Sequence, residues 1–100
     1  NLFGGPSNAQ LDDYYTSVSQ YLYRMWQQPG KNLLAGSKPF VTLHMSVDAS
    51  GRVVAARITK RSGVIVMDSS VDKLLTEVTV LPKPPKGAIE FDVTLKIDED

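Results

Sequence analysis

The sequence predicts an α+β domain in which two helices pack on one face of a three-stranded antiparallel sheet, in the order α-β-β-α-β. Three observations predict it. Apolar residues recur at helical spacing near residues 11–26 and 71–78, they alternate with polar residues over 40–47, 52–61 and 89–97, and clusters of turn formers separate these runs.

Leu11, Tyr15, Val18, Leu22 and Trp26 recur in steps of three and four, with Tyr14 and Met25 beside them, which is the period of an amphipathic helix. Asp12 and Asp13 are expected in its first turn, where carboxylates favour the positive end of the helix dipole, and Arg24 lies near the other end. Pro29-Gly30 stops this helix at about Gln28. Tyr15 and Trp26 share the apolar stripe and are read as core, whereas Tyr21 or Tyr23 is read as partly exposed.

From Phe40 to Val47 the period becomes two: Val41, Leu43, Met45 and Val47 point one way, and Phe40, Thr42, His44 and Ser46 the other. Asp48-Ala49-Ser50-Gly51 supplies a turn, and Arg52 to Arg61 returns as a second strand with Val54, Ala56 and Ile58 on its inner side. Ser62-Gly63 breaks that strand. Asp68 is expected to cap a short helix whose stripe is Val71, Leu74, Leu75 and Val78 and whose end is near Glu77. Leu81-Pro82-Lys83-Pro84-Pro85-Lys86-Gly87 is a stiff connector, because its prolines lack donors and force their predecessors to extend. Ile89, Phe91, Val93, Leu95 and Ile97 then alternate with Glu90, Asp92, Thr94 and Lys96, the cleanest period-two pattern in the chain.

With 100 residues, 42% of them hydrophobic, the chain suits one modest core and not two. Gly4-Gly5-Pro6-Ser7-Asn8 reads as linker, so residues 1–9 are expected to be a linker remnant and residues 10–98 the domain. The start at Asn1 is read as the cut end of a longer protein, with any signal or anchor upstream. The longest apolar runs, such as Val64 to Met67, are far short of the roughly 20 residues of a membrane span. Eleven basic residues balance eleven acidic ones, which argues against nucleic acid as a partner. Without cysteine there is no disulfide, no thiolate zinc site and no thiol nucleophile.

His44 is the only histidine, and its outer-face neighbours along the strand are threonine and serine, so it is read as structural or exposed, with no catalytic and no metal role. Ser62-Gly63 and Ser69-Ser70 lack a G-x-S-x-G elbow. No cofactor is expected. Lys83, Lys86 and Lys96 are read as solvated surface rather than as a steering patch.

Several short signatures arrive together. Trp26-Gln27-Gln28-Pro29 resembles the tryptophan–proline end of the first helix in TonB/TolA C-terminal domains, and Val47-Asp48-Ala49-Ser50-Gly51-Arg52-Val53 is similar to that family's hairpin. Arg61-Ser62-Gly63 followed by Asp68-Ser69-Ser70-Val71 resembles its serine–glycine break and second helix, and Leu81-Pro82-Lys83-Pro84-Pro85 its proline-rich exit into the last strand. The resemblance runs from about Tyr15 to Ile97. It implies a non-enzymatic periplasmic domain of an energy transducer, joined by an upstream segment to an inner-membrane motor. The partner it implies is the N-terminal peptide of an outer-membrane receptor in the TonB-like branch, or a TolB-type periplasmic protein in the TolA-like branch.

The resemblance also implies the sheet order second strand, first strand, last strand, which leaves the last strand at an edge. Ile89, Glu90, Phe91, Asp92, Val93, Thr94, Leu95 and Lys96 are accordingly the expected partner-binding residues, docking an extended segment through main-chain bonds. Of the adjacent residues Asp92 and Val93, only one turns its donor outward. A structural or homodimerising envelope domain would use the same edge. A small ligand-binding or hydrolytic domain would need clustered acids and bases or a phosphate loop, which the sequence does not supply.

Overall fold

The computed structural model describes residues 8–34 and 36–97. In chain order its elements are helix α1 (Asn8–Met25), a 3-10 turn (Lys31–Leu33), strands β1 (Phe40–Val47) and β2 (Val53–Lys60), helix α2 (Ile65–Glu77) and strand β3 (Ile89–Lys96). The expected order and fold class are those of the structure. Both strand pairings are antiparallel and the sheet order is β2-β1-β3, so β1 is central and β3 is an edge.

The alternation of central β1 gives it one fully apolar face: Val41, Leu43 and Met45 have no exposure, while Thr42, His44 and Ser46 lie half-exposed on the other side. The turn into β2 is organised by Asp48, whose carboxylate accepts hydrogen bonds from the Ser50 hydroxyl at 2.6 Å and from the N–H groups of Ser50 and Arg52 at 2.9 and 3.0 Å. These bonds, the Ser50 hydroxyl first, hold its carboxyl below the usual aspartate value. Gly51 has φ +98, and a Cβ there would meet the Leu81 carbonyl oxygen at 2.5 Å. Only glycine fits both demands. The close approach is fixed by the Leu81 N–H, which donates to the Gly51 carbonyl at 2.8 Å, and by the Val53 N–H, which donates to the Thr79 carbonyl at 2.9 Å.

β2 departs from the expected inner row. Val54 is 61% exposed, and the residues facing the core are Val53, Ala56 and Ile58. The reason is a register shift: Val47 pairs with Val53 but Ser46 pairs with Ala55, so Val54 is an extra residue that reverses the alternation.

One core joins the two helices to the sheet. α1 buries Tyr14, Val18 and Leu22, and α2 buries Met67, Val71 and Leu74. Tyr14, not Tyr15, occupies the core position: its ring meets Phe91 edge-on at 6.1 Å, and Tyr15 lies at the rim, 38% exposed. Asp12 and Asp13 fall beyond the first turn of α1. The helix ends at Met25, just short of Trp26, whose N–H still donates to the Leu22 carbonyl at 2.8 Å. α2 begins at Ile65, three residues before Asp68, so Asp68 is not its cap. Its carboxylate instead reaches back to the break before the helix, accepting from the Ser62 hydroxyl at 2.7 Å, the Ser62 N–H at 2.9 Å and the Gly63 N–H at 3.2 Å. Partial burial pushes the Asp68 carboxyl up, and these bonds outweigh it and leave it below the usual value.

Candidate functional site

Along β3 the side chains divide as the alternation dictates. Phe91 and Leu95 are buried, Ile89 and Val93 half-buried, and Glu90, Asp92, Thr94 and Lys96 exposed. The backbone divides too, and one hydrogen bond tells which way. The Lys96 N–H donates to the hydroxyl of Tyr23, on α1, at 2.8 Å, so this N–H points away from β1. In an antiparallel pair successive residues turn their N–H and C=O groups alternately toward and away from the partner strand. Lys96, Thr94, Asp92 and Glu90 therefore face outward, and Leu95, Val93, Phe91 and Ile89 bond to β1. Side-chain contacts across the pair agree, because pairs without backbone bonds bring their side chains closer. Thr42 and Thr94 hydroxyls lie 3.3 Å apart, and His44 Nδ1 lies 2.8 Å from Asp92 Oδ1. No described strand pairs with the outward row, so Glu90, Asp92 and Thr94 each offer one N–H and one C=O to a further strand.

The outer face beside this edge holds a charged cluster that the sequence reading missed. His44 is not among threonine and serine alone. The β1–β3 register sets it directly opposite Asp92, and Glu90 Oε1 lies 3.0 Å from its Nε2. An ionised carboxylate has no proton to give, so both bonds form together only when the ring is protonated. Accordingly the bonds to Glu90 and then Asp92 raise the His44 pKa above its ordinary value, against slight desolvation and the charge of Arg57 on β2. The same bond leads the causes that lower the Glu90 pKa. The carboxylates sit at opposite ring nitrogens and share no point where an ion could be held. Ser46 Oγ donates to Glu90 at 3.2 Å rather than to the imidazole, so no activated hydroxyl results. Among the described residues no group of three or more His, Cys, Asp or Glu side chains is arranged so that it could hold a metal ion. The cross-strand register was the missing signal, since His44 and Asp92 are far apart in the chain.

α1 runs above β3 on the core side. Tyr15 packs on Phe91 with ring centroids 5.6 Å apart, and Tyr23 reaches Lys96, so spacing of four places Tyr15, Ser19 and Tyr23 on the helix face nearest the free edge. At the far end of the sheet Phe40, opposite Lys96, is 41% exposed, with Lys60 Nζ 5.2 Å from its ring centroid. Lys83, Lys86 and Lys96 are all exposed.

Among curated proteins no sequence matches the chain. Two solved structures share its fold. One is the solution structure of the Helicobacter pylori TonB C-terminal domain, 14% identical, with a TM-score of 0.68 over 97% of this chain and 98% of that one. The other is the C-terminal domain of HasB, 24% identical, with a TM-score of 0.51 over 96% of this chain and 72% of that one. The family profile described as TonB C terminal matches residues 11–97, which takes in every strand, α2 and most of α1. The chain therefore belongs to the TonB C-terminal family.

Proposed function

We propose that this chain is the periplasmic partner-docking domain of a TonB-type energy transducer, and that it grips an outer-membrane receptor by adding an extended receptor segment as a strand along β3. The observation that supports this reading is the outward row of backbone groups at Glu90, Asp92 and Thr94, which no described strand pairs, at a sheet edge in a chain of this family. Main-chain bonds depend little on the sequence that makes them, which suits a domain serving several receptors. The reading is non-enzymatic, with His44 and Ser46 engaged by carboxylates and not by each other. The docking domain is read as residues 10–98; of the expected linker 1–9, Asn8 and Ala9 already belong to α1, and residues 1–7 lie outside the described residues. No described helix is long and apolar enough to cross a membrane, so the reading assigns the inner-membrane anchor and the motor contact to a segment outside the domain.

The test is calorimetric titration of the domain with short synthetic peptides from the N-terminal segments of the source organism's outer-membrane receptors. Saturable binding of one peptide per domain, with amide shifts concentrated in β3, is expected. Absence of binding by every receptor peptide, with binding of a TolB-type protein in its place, would overturn the receptor assignment.

A further inference from the structure

We infer that the Tyr23 hydroxyl is a stop that sets the register of the docked strand, closing the free edge of β3 at Lys96 and leaving Glu90, Asp92 and Thr94 to pair. The inference rests on the edge-docking reading. In a ladder, the N–H of Lys96 would receive a carbonyl oxygen of the added strand at about 2.9 Å. The Tyr23 oxygen already stands there, at 2.8 Å. A strand running along the edge meets a satisfied donor and a phenol ring at this point, and it can continue only by displacing both.

The stop is held by the core. Tyr23 lies one residue after Leu22, which has no exposure, and its ring packs edge-on against Trp26 with centroids 5.6 Å apart. Trp26 is itself 4% exposed and donates through its indole N–H to Ser70 on α2. Moving the hydroxyl away from Lys96 therefore disturbs the packing where α1 ends. With the edge closed at Lys96, the open window holds three outward residues, which an extended segment of about five or six residues covers at roughly 3.4 Å each. Partners are thus selected first by a short run free of proline at the positions that must donate, and they align from the Tyr23 end.

Amide hydrogen exchange in the parent domain and in Tyr23→Phe, with and without a receptor N-terminal peptide, tests this. Phenylalanine keeps the ring and its contact with Trp26 and removes only the acceptor. In the free protein the Lys96 amide is expected to exchange about fivefold faster in Tyr23→Phe than in the parent, the factor set by one ordinary hydrogen bond. With peptide bound, the parent should gain protection at Glu90, Asp92 and Thr94 and none at Lys96, whereas Tyr23→Phe should gain it at Lys96 as well. Protection at the three window amides with the same Lys96 behaviour in both proteins would overturn the stop and leave edge docking standing. Protection at none of them would overturn both.

Discussion

The indole N–H of Trp26 donates to the hydroxyl of Ser70 at 2.9 Å, tying the end of α1 to the middle of α2 across 44 residues of sequence. The Ser70 hydroxyl in turn donates to the Met67 carbonyl at 2.7 Å, so each donor in this short chain of bonds has its acceptor. Trp26→Ala removes a buried ring and should cost about 3–5 kcal/mol of unfolding free energy in chemical denaturation. Ser70→Ala should cost less, about 1–2 kcal/mol, because it strands the indole donor but leaves the ring in place. A thermal midpoint for Trp26→Ala within a few degrees of the parent would contradict the anchoring role.

Gly51 is where hairpin and connector touch. Alanine there combines an unfavourable positive φ with a Cβ 2.5 Å from the Leu81 carbonyl oxygen, and should destabilise by about 2–4 kcal/mol. Gly63 also has positive φ, but a Cβ would meet nothing within 4 Å, so Gly63→Ala should cost less. Denaturation midpoints of the two variants compare the clash with the backbone strain alone. Equal losses would mean that the connector yields to Gly51→Ala.

His44 confers a pH dependence of stability whose direction follows from its environment. It faces Glu90 and Asp92 on β3 and Arg57 on β2, and the carboxylates prevail, so its folded pKa exceeds the unfolded value of 6.5. The stabilisation is complete below that unfolded value and is lost as pH rises through the folded one. Glu90 acts in the opposite sense: its contribution is present above its ordinary value of 4.5 and is lost as pH falls through its lowered folded pKa. Thermal midpoints of the parent should therefore be highest between these limits and fall as pH rises above 6.5 and through the raised folded value of His44, and His44→Gln should flatten that fall. Parallel curves for the two proteins would contradict the pairing of His44 with Glu90 and Asp92.

Much of this molecule is legible in the chain because its sheet obeys simple periods. β1 and β3 match the expected runs from Phe40 and Ile89 because neither contains an irregularity that would reset the alternation. The inner row of β2 was misread at one position because a bulge at Val54 is set by the pairing of hairpin and connector, which no local pattern carries. Tyr14 and Tyr15 both lie near the apolar side of α1 and both pack on Phe91, so the helical period alone does not tell which ring is covered. Asp68 has the residue type of a cap, but α2 begins three residues earlier, and the Asp68 carboxylate takes the N–H groups of the Ser62-Gly63 break instead. The edge could be anticipated from resemblance, but the parity of its outward row and the Tyr23 bond at its end depend on how α1 lies over β3.

The central claim is that backbone groups of β3, and not its side chains, hold the partner. The measurement that tests it most directly is receptor-peptide affinity for Asp92→Pro, Val93→Pro and Asp92→Ala, each checked for folding by circular dichroism. Asp92 turns its N–H outward, so proline there should leave the domain folded and weaken binding by at least about tenfold, while Asp92→Ala, which keeps the donor, should bind within about threefold of the parent. Val93 donates to β1, and proline there should unfold the domain. Binding by folded Asp92→Pro as tight as the parent, or an equal loss in Asp92→Ala, would contradict docking through the edge of β3.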